Sequence, residues 1–496
     1  MQTMNNMNWL AVYPEIVLLA MACVVSLVDL WVTSDDRQVT HWLTLASLAV
    51  VAAMHLSYFN GGFTLYAMQD MVVSDPLGHL LGFFASVATI ITLVYARPYA
   101  ASRDMLKGEL YTLSLFALFG ISVMLSANNF LVIYLGLEAM SLSLYALVAL
   151  RRDHPPATEA AMKYFMLGAL ASGFLLYGLS MMYGATGSLE IGEVFKAIGT
   201  GQINKTVLIF GTVFVVSGLA FKLGVVPFHM WVPDVYQGAP TAVTLMIGGA
   251  PKLAAFAITV RLLVEGMLGL AVDWQQMLIV LSVGSMALGN LAAIAQTNLK
   301  RMLAYSTIAQ IGFMLLGLAS GVVNGNTLSA ANAYSSAMFY VVSYVLTTLG
   351  TFGMIMLLSR QGFESEQIDD LKGLAKRSPW YALVMAVFMF SLAGLPPTVG
   401  FYAKLSVLQA LVSTNVEGYL WLAVAAVLLS LIGAFYYLRV IKVMFFDEPT
   451  DKSAIESPAD VRVLLSLNGM AVLVFGLLPG GLMALCAEAI VKALGT

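Results

Sequence analysis

An all-α, polytopic membrane protein with about 14 transmembrane helices is the fold the sequence predicts, and three observations predict it. Of 496 residues, 60% are hydrophobic and only 10% charged, where a soluble domain carries about 25% charged residues. The mean hydropathy is +0.87. Apolar runs of about 20 residues recur along the whole chain, each long enough to cross roughly 30 Å of hydrocarbon as a helix. The runs are continuous rather than alternating, which argues against a β-barrel. The chain reads as a single membrane domain, 1–496, with no sizeable soluble part.

The first span covers 10–32. No basic region precedes it and it is too long for a signal peptide, so it is read as the first retained span. Spans follow at 40–59, 72–95, 110–127, 129–150, 160–184, 206–226, 240–263, 274–297, 302–320, 330–359, 380–414, 417–446 and 463–486. Two of them are interrupted. The seventh runs into Gly224, Pro227 and Pro233; the twelfth carries Gly394-Leu395-Pro396-Pro397 near its middle and Gly400 just after. Proline lacks the N–H that a helix interior needs, so spans 7 and 12 are predicted as broken helices. Interrupted helices at corresponding positions of two halves mark inverted repeats with sites near the midplane. Because these two lie five apart, two inverted five-helix repeats are expected: helices 4–8 over 110–263 and helices 9–13 over 274–446. Helices 1–3 occupy 1–109 and helix 14 occupies 460–496. The polar segments 185–205, 360–379 and 447–460 read as loops, with a short surface helix over 361–377.

Alternating loops place sixteen Lys and Arg residues on one side, among them Lys300, Arg301 and Lys452. Four fall on the other: Lys196, Lys205, Arg261 and Lys492. Basic loops stay cytoplasmic, so both termini are expected on the periplasmic side.

The remaining four cations lie inside apolar runs: Lys163, Lys222, Lys252 and Lys404. Glu138 lies in another. A charge at mid-bilayer costs from about 2.5 kcal/mol to over 10, so it is rarely kept without a use. Burial favours the neutral form of an amine, which makes such lysines candidates for proton carriage. Glu138 shares a helical face with Tyr134, Ser141 and Tyr145, a face polar enough to hold water; pairing for structure alone is the bland alternative. Lys163 opens its span and can snorkel to the interface instead. Lys222 precedes the first break, where freed carbonyls need a cavity. His229 follows that break and can pass protons or simply pack. Lys252 sits at the centre of its span behind Pro251, on a stripe with Thr241, Thr244, Gly248 and Thr259. Lys404 follows the second break. Tyr305, Ser306 and Gln310 of the tenth span, with Tyr340, Ser343, Tyr344 and Thr347 of the eleventh, can carry a water wire or merely join helices.

The net charge of −3 suggests no nucleic acid and no strongly charged partner. The two cysteines, Cys23 and Cys486, lie in apolar runs and read as packing residues; two cannot hold an iron–sulfur cluster. There is no nucleotide-binding glycine fingerprint and no P-loop. If the chain serves a redox enzyme, the electrons travel elsewhere.

Four stretches carry a resemblance: NNFLVIYLGLEAMSLSLYALV, SGLAFKLGVVPFHMWVPDVYQGAPTAVTLMIGGAPK, NLKRMLAYSTIAQIGFMLLG and SLAGLPPTVGFYAK. With them the chain resembles, over nearly its full length, the antiporter-like subunits of respiratory complex I, the proton-pumping NADH:quinone oxidoreductase. It has no length for the C-terminal lateral helix of one member, and Lys404 stands where another typically has glutamate. The resemblance implies that Glu138 pairs with Lys163, that Lys222 is the pumping residue, that Lys252 lies on a central axis and that Lys404 is the exit group. It implies protons moving from cytoplasm to periplasm, with loosening of the Glu138–Lys163 pair weakening the proton-bound form of Lys222. It also implies a bacterial inner-membrane location beside other membrane subunits, including neighbouring antiporter-like ones. No cofactor is expected in this chain; flavin, iron–sulfur clusters and quinone belong to partner subunits. The alternative is a subunit of a multisubunit sodium(potassium)/proton antiporter. Cation sites prefer oxygen ligands, and the deep groups here are mainly amines.

Overall fold

Hydrocarbon-length apolar segments have one way to satisfy their backbone, and the chain takes it. The computed structural model describes residues 7–323, 325–450, 453, 455 and 457–495. Lys452, residues 1–6 and Thr496 lie outside them. A 3₁₀ turn, Trp9–Val12, leads into α1 (Tyr13–Asp29) and α2 (Gln38–Gly61). A small antiparallel hairpin, β1 (Leu65–Ala67) and β2 (Val72–Ser74), pairs Leu65 with Ser74. Then come α3 (Pro76–Ala101), α4 (Gly108–Leu125), α5 (Phe130–Val148), α6 (Pro155–Thr186), α7 (Ile191–Gly199), α8 (Lys205–Leu223), α9 (Trp231–Gly238), α10 (Thr241–Gly248) and α11 (Ala250–Thr259). The last of these continues as a π-helical turn, Val260–Gly266. The second half holds α12 (Ala271–Ile294), α13 (Leu299–Ala319), α14 (Ala330–Leu358), α15 (Leu374–Arg377), α16 (Pro379–Ala393), α17 (Val399–Ser413), α18 (Glu417–Phe446), α19 (Ala459–Leu477) and α20 (Gly480–Leu494).

Among the described residues, thirteen helical segments are long and apolar enough to span a bilayer. The shorter pair α16 and α17 forms the broken twelfth span, so the expected fourteen are present. Local chemistry sets the ends. Asp75 accepts from Gly78 N at 2.8 Å and Pro76 stands at the first turn of α3; Asn129 and Asn204 cap α5 and α8. Gly224 (φ 81°) closes α8 and Gly394 (φ 81°) closes α16, in the left-handed region that glycine enters without penalty. Both breaks carry a cis X–Pro bond, Val226–Pro227 and Pro396–Pro397.

Several expectations need correction. The span 463–486 is two helices, α19 and α20, because Pro479 cannot continue the first; α20 buries Leu482, Cys486, Ala489 and Ile490 as it packs on α3 and α14. The eighth span is likewise divided at Gly249 into α10 and α11. Segment 361–377 is a 3₁₀ turn, Ile368–Leu371, plus α15, not one helix. Segment 185–205 holds α7, which buries Ile191, Val194 and Ile198. Of the cysteines, Cys486 is buried and Cys23 exposed.

The interior is made by α10, α11, α13 and α14, buried on all sides, whereas α18 turns Leu428, Leu431 and Phe435 outward. Between lipid-solvated helices there is little hydrophobic drive, so small residues and close packing decide the pairs. Gly120 of α4 meets Gly136 of α5: a Cβ on Gly120 would lie 2.6 Å from Gly136 O. Gly120→Val should therefore overpack this seam by about 1–3 kcal/mol and lower the thermal midpoint and yield of the membrane domain. Gly173→Val, at a position with nothing within 4 Å, should leave both at their native values in the same assay.

Candidate functional site

α8 and α16 each stop at a proline-bearing break inside the membrane domain, and each stop leaves carbonyls without intrahelical donors. An amine serves each set. Lys252, at the start of α11, donates to Leu223 O at 2.8 Å and to Lys222 O at 3.4 Å, the end of α8. Lys404, on α17, donates to Leu392 O at 3.1 Å and Ala393 O at 3.0 Å, the end of α16, and to Ser430 Oγ at 2.8 Å. Each ammonium also lies over a ring, Lys252 5.5 Å from Trp231 and Lys404 5.4 Å from Phe313. Lys252 is only 1% exposed. By sequence position Lys222 looked like the counterpart of Lys404; by geometry the counterpart is Lys252.

Lys222 is the penultimate residue of α8 and makes no such contact with a broken end. Its Nζ donates to Ser141 Oγ on α5 at 3.0 Å, one turn beyond Glu138. One Glu138 carboxylate oxygen is buried without a hydrogen-bond partner. Between Lys222 and Lys252 lies a cavity of about 20 Å³, walled by Leu137, Tyr164, Trp231 and Pro251. That is room for about one water, enough to join two amines.

Buried hydroxyls and one amide gather between α9, α13, α14 and α18 and reach Lys404 through Leu392 O. Gly248, one turn before Lys252, lacks the Cβ that would meet the Tyr236 hydroxyl at 3.1 Å. Thr307 bonds Tyr344 at 2.7 Å. Ser306 bonds Tyr437, and Gln310 donates to Tyr437 at 3.0 Å and to Leu392 O at 2.8 Å. The Tyr340 hydroxyl donates to the other end of Gln310. Leu392 O is thus shared by Gln310 and Lys404. Ser391, at the same break, bonds Thr347 at 3.1 Å.

Lys163 is elsewhere. Its Nζ lies 2.9 Å from Glu159 and 2.9 Å from Asp234, with 43% of the side chain exposed. The implied Glu138–Lys163 pair is not made, because two carboxylates at the helix mouth hold the amine there. Arg301 binds the other Asp234 oxygen at 2.8 Å. Partial burial would raise the Asp234 carboxyl, but the hydrogen bonds from Lys163 and Arg301 outweigh it and hold the group below the usual carboxylate range. These residues line a polar cavity of about 390 Å³ with His154, Glu364 and Glu366, at the end of the molecule that carries the basic loops. Lys300, counted above among loop cations, is buried there, donating to Ala239 O at 2.7 Å and Glu366 at 3.0 Å. His229 sits half-buried in the turn between α8 and α9, its Nδ1 without a partner. Among the described residues no hydrogen bond joins it to Lys222 or Lys252.

Arg261 is not a loop residue either. It is 2% exposed and grips Asp75 through both nitrogens at 2.7 and 2.8 Å, with Glu265 at 3.0 Å and Leu125 O at 2.9 Å. His79, one turn into α3, meets His55 of α2 at 3.1 Å. A charge near a span end resembles a loop charge in sequence, which is why the run of hydropathy alone does not reveal this cluster. Breaking a buried ion pair by removing one charge costs about 3–5 kcal/mol. Asp75→Asn, which keeps an oxygen for Gly78 N, should therefore lower the unfolding midpoint measured by differential scanning calorimetry.

The chain has likenesses over most of its length. Residues 127–433 match the family model described as NADH:quinone oxidoreductase/Mrp antiporter, TM. A relative from Polaromonas naphthalenivorans, NADH-quinone oxidoreductase subunit N, is 65% identical over 489 residues, 98% of each chain. One of the same name from Herminiimonas arsenicoxydans is 65% identical over 497 residues, covering 99% of this chain and 100% of that one. Among solved structures, a chain of respiratory complex I from Thermus thermophilus superposes with TM-score 0.80 at 31% identity, covering 96% of this chain and 100% of that one. A chain of the Mrp complex from Dietzia shares the fold, with TM-score 0.84 at 22% identity over 98% of this chain and 97% of that one.

Proposed function

The chain belongs to the NADH:quinone oxidoreductase/Mrp antiporter family and is a multi-pass, antiporter-like, proton-translocating membrane subunit of respiratory complex I; on that premise we propose which of its residues carry the proton. Lys222 is the proton-binding amine, Lys252 and Lys404 are relays, and Glu138 with Lys163 sets when Lys222 holds its proton. The observation that carries this reading is the set of three amines at the two helix breaks, with space for one water between Lys222 and Lys252 and a hydroxyl and amide network that reaches Lys404 through Leu392 O.

Protons reach Lys222 from the basic end, taken as cytoplasmic, through the polar cavity around Lys163 and Asp234. The ammonium rests on Ser141 with Glu138 as counter-charge. Among the described residues the two make no contact ion pair, so their attraction is weaker than the about 4 kcal/mol of unit charges 4 Å apart at an effective dielectric of 20. Glu138 can be neutralised by Lys163, and then Lys222 loses that attraction and releases its proton. The sign is the reverse of the expectation above: closing the Glu138–Lys163 pair, not loosening it, weakens proton-bound Lys222. The proton then passes to Lys252, along the tyrosine and glutamine seam to Lys404, and out at the opposite end. His229 borders the break as a side donor. Both termini lie on the periplasmic side of the bacterial inner membrane in this scheme.

Residues 110–263 and 274–446 are the two inverted repeats, flanked by 1–109 and 460–496. Electron transfer belongs to partner subunits, which hold the flavin, iron–sulfur clusters and quinone; this chain contributes no redox group. Amines rather than oxygen clusters at the deep positions favour protons over sodium or potassium as cargo.

In the assembled complex, Lys222→Ala should abolish the proton movement that this subunit adds to NADH oxidation, read as protons per electron in sealed vesicles. Native stoichiometry in that variant would remove Lys222 from the pathway.

A further inference from the structure

We propose that Asp234 is a positioning residue that holds Lys163 away from Glu138, so that Lys163 works between two carboxylates, one at the cavity mouth and one beside Lys222. The proposal rests on the reading that Glu138 and Lys222 form the proton-binding centre.

The mouth site is complete. Lys163 is bound by Asp234 and Glu159, both at 2.9 Å. Arg301 binds Asp234 at 2.8 Å and Gln237 at 3.1 Å. Two cations face two carboxylates, and every charged group there has a partner. The inner site is incomplete: one oxygen of Glu138 is buried with nothing to bind. A buried acceptor left alone costs about 1–3 kcal/mol, more when charged, so the inner site offers an amine the partner that Glu138 lacks.

The two sites are mechanically adjacent. Tyr164, the next residue after Lys163, packs edge-on against Tyr145 at 4.7 Å, and Tyr145 lies on the α5 face that carries Glu138 and Ser141. Tyr164 also stacks on Trp231 at 4.7 Å. Trp231 in turn donates to Phe221 O at 2.9 Å, beside Lys222, and underlies Lys252. Trp231 and Asp234 are one turn apart on the short helix α9. The group that detains Lys163 therefore stands on the same short helix whose Trp231 lies under the Lys252 ammonium and binds the carbonyl of the residue before Lys222. With Lys163 at Asp234, Glu138 is left to Lys222 and the proton is held. With Lys163 at Glu138, Lys222 lets it go. Asp234 sets the balance between the two.

The test compares Asp234→Asn, Lys163→Met and the double variant in the assembled complex, reading NADH-driven proton pumping in vesicles. Asp234→Asn should slow pumping about two- to fivefold, the range a partly exposed ion pair supports, and Asp234→Glu should restore most of it. In the Lys163→Met background, Asp234→Asn should change nothing further, since no amine remains to be released. Equal slowing in both backgrounds would mark Asp234 as a plain tie between α6, α9 and α13 and overturn the proposal. So would native pumping in Asp234→Asn while Lys222→Ala is inactive, an outcome that spares the centre itself. Native pumping in Lys222→Ala would remove the centre and this inference with it. If Asp234→Asn does not assemble, Asp234→Ser serves in the same two backgrounds: slowing only where Lys163 is present supports the role, and equal slowing, or none, overturns it.

Discussion

Where a helix ends inside hydrocarbon, its last carbonyls have no intrahelical donor and no water to replace one. Here a lysine amine fills that gap at each break, Lys252 at the end of α8 and Lys404 at the end of α16. The fit is reciprocal. The break becomes tolerable because the amine binds its carbonyls, and the amine becomes tolerable because it faces the negative end of a helix dipole. A neutral amine still donates hydrogen bonds, so the fold need not open when the proton leaves. A group that is structural in both protonation states is suited to pass a proton on.

Lys222 is built differently. Its partner is a side-chain hydroxyl, with a carboxylate one turn away, and no backbone carbonyl holds it. It therefore responds to side-chain charge in a way that Lys252 and Lys404 do not. The three lysines thus sit in two kinds of surroundings, one set by side chains and two by helix-end carbonyls.

The spans were legible because hydropathy and bilayer thickness are both local quantities. The three inner lysines were legible for the same reason: a cation near the middle of an apolar run has nowhere to hide. Arg261 and Lys300 were not, since each lies close enough to a span end to pass for a loop charge, although both are almost wholly buried. The Pro479 division of the last span and the Gly249 division of the eighth were overlooked because hydropathy continues through both. Asp234, in a quoted motif but given no role, gained one only when its partners were seen.

Depth in the membrane was a property of the sequence by itself. Each stretch of about 20 apolar residues specified a crossing, the prolines and glycines specified two breaks, and Glu138, Lys222, Lys252 and Lys404 were placed inside. Partnership was decided only by the tertiary structure. Arg261 meets Asp75 across 186 residues of chain, and Lys163 meets Asp234 across 71. The reason is physical: burial costs act on each residue where it stands, whereas a charge pair depends on which helices adjoin. That adjacency is set by small-residue packing between distant segments, which leaves no periodic mark in the sequence.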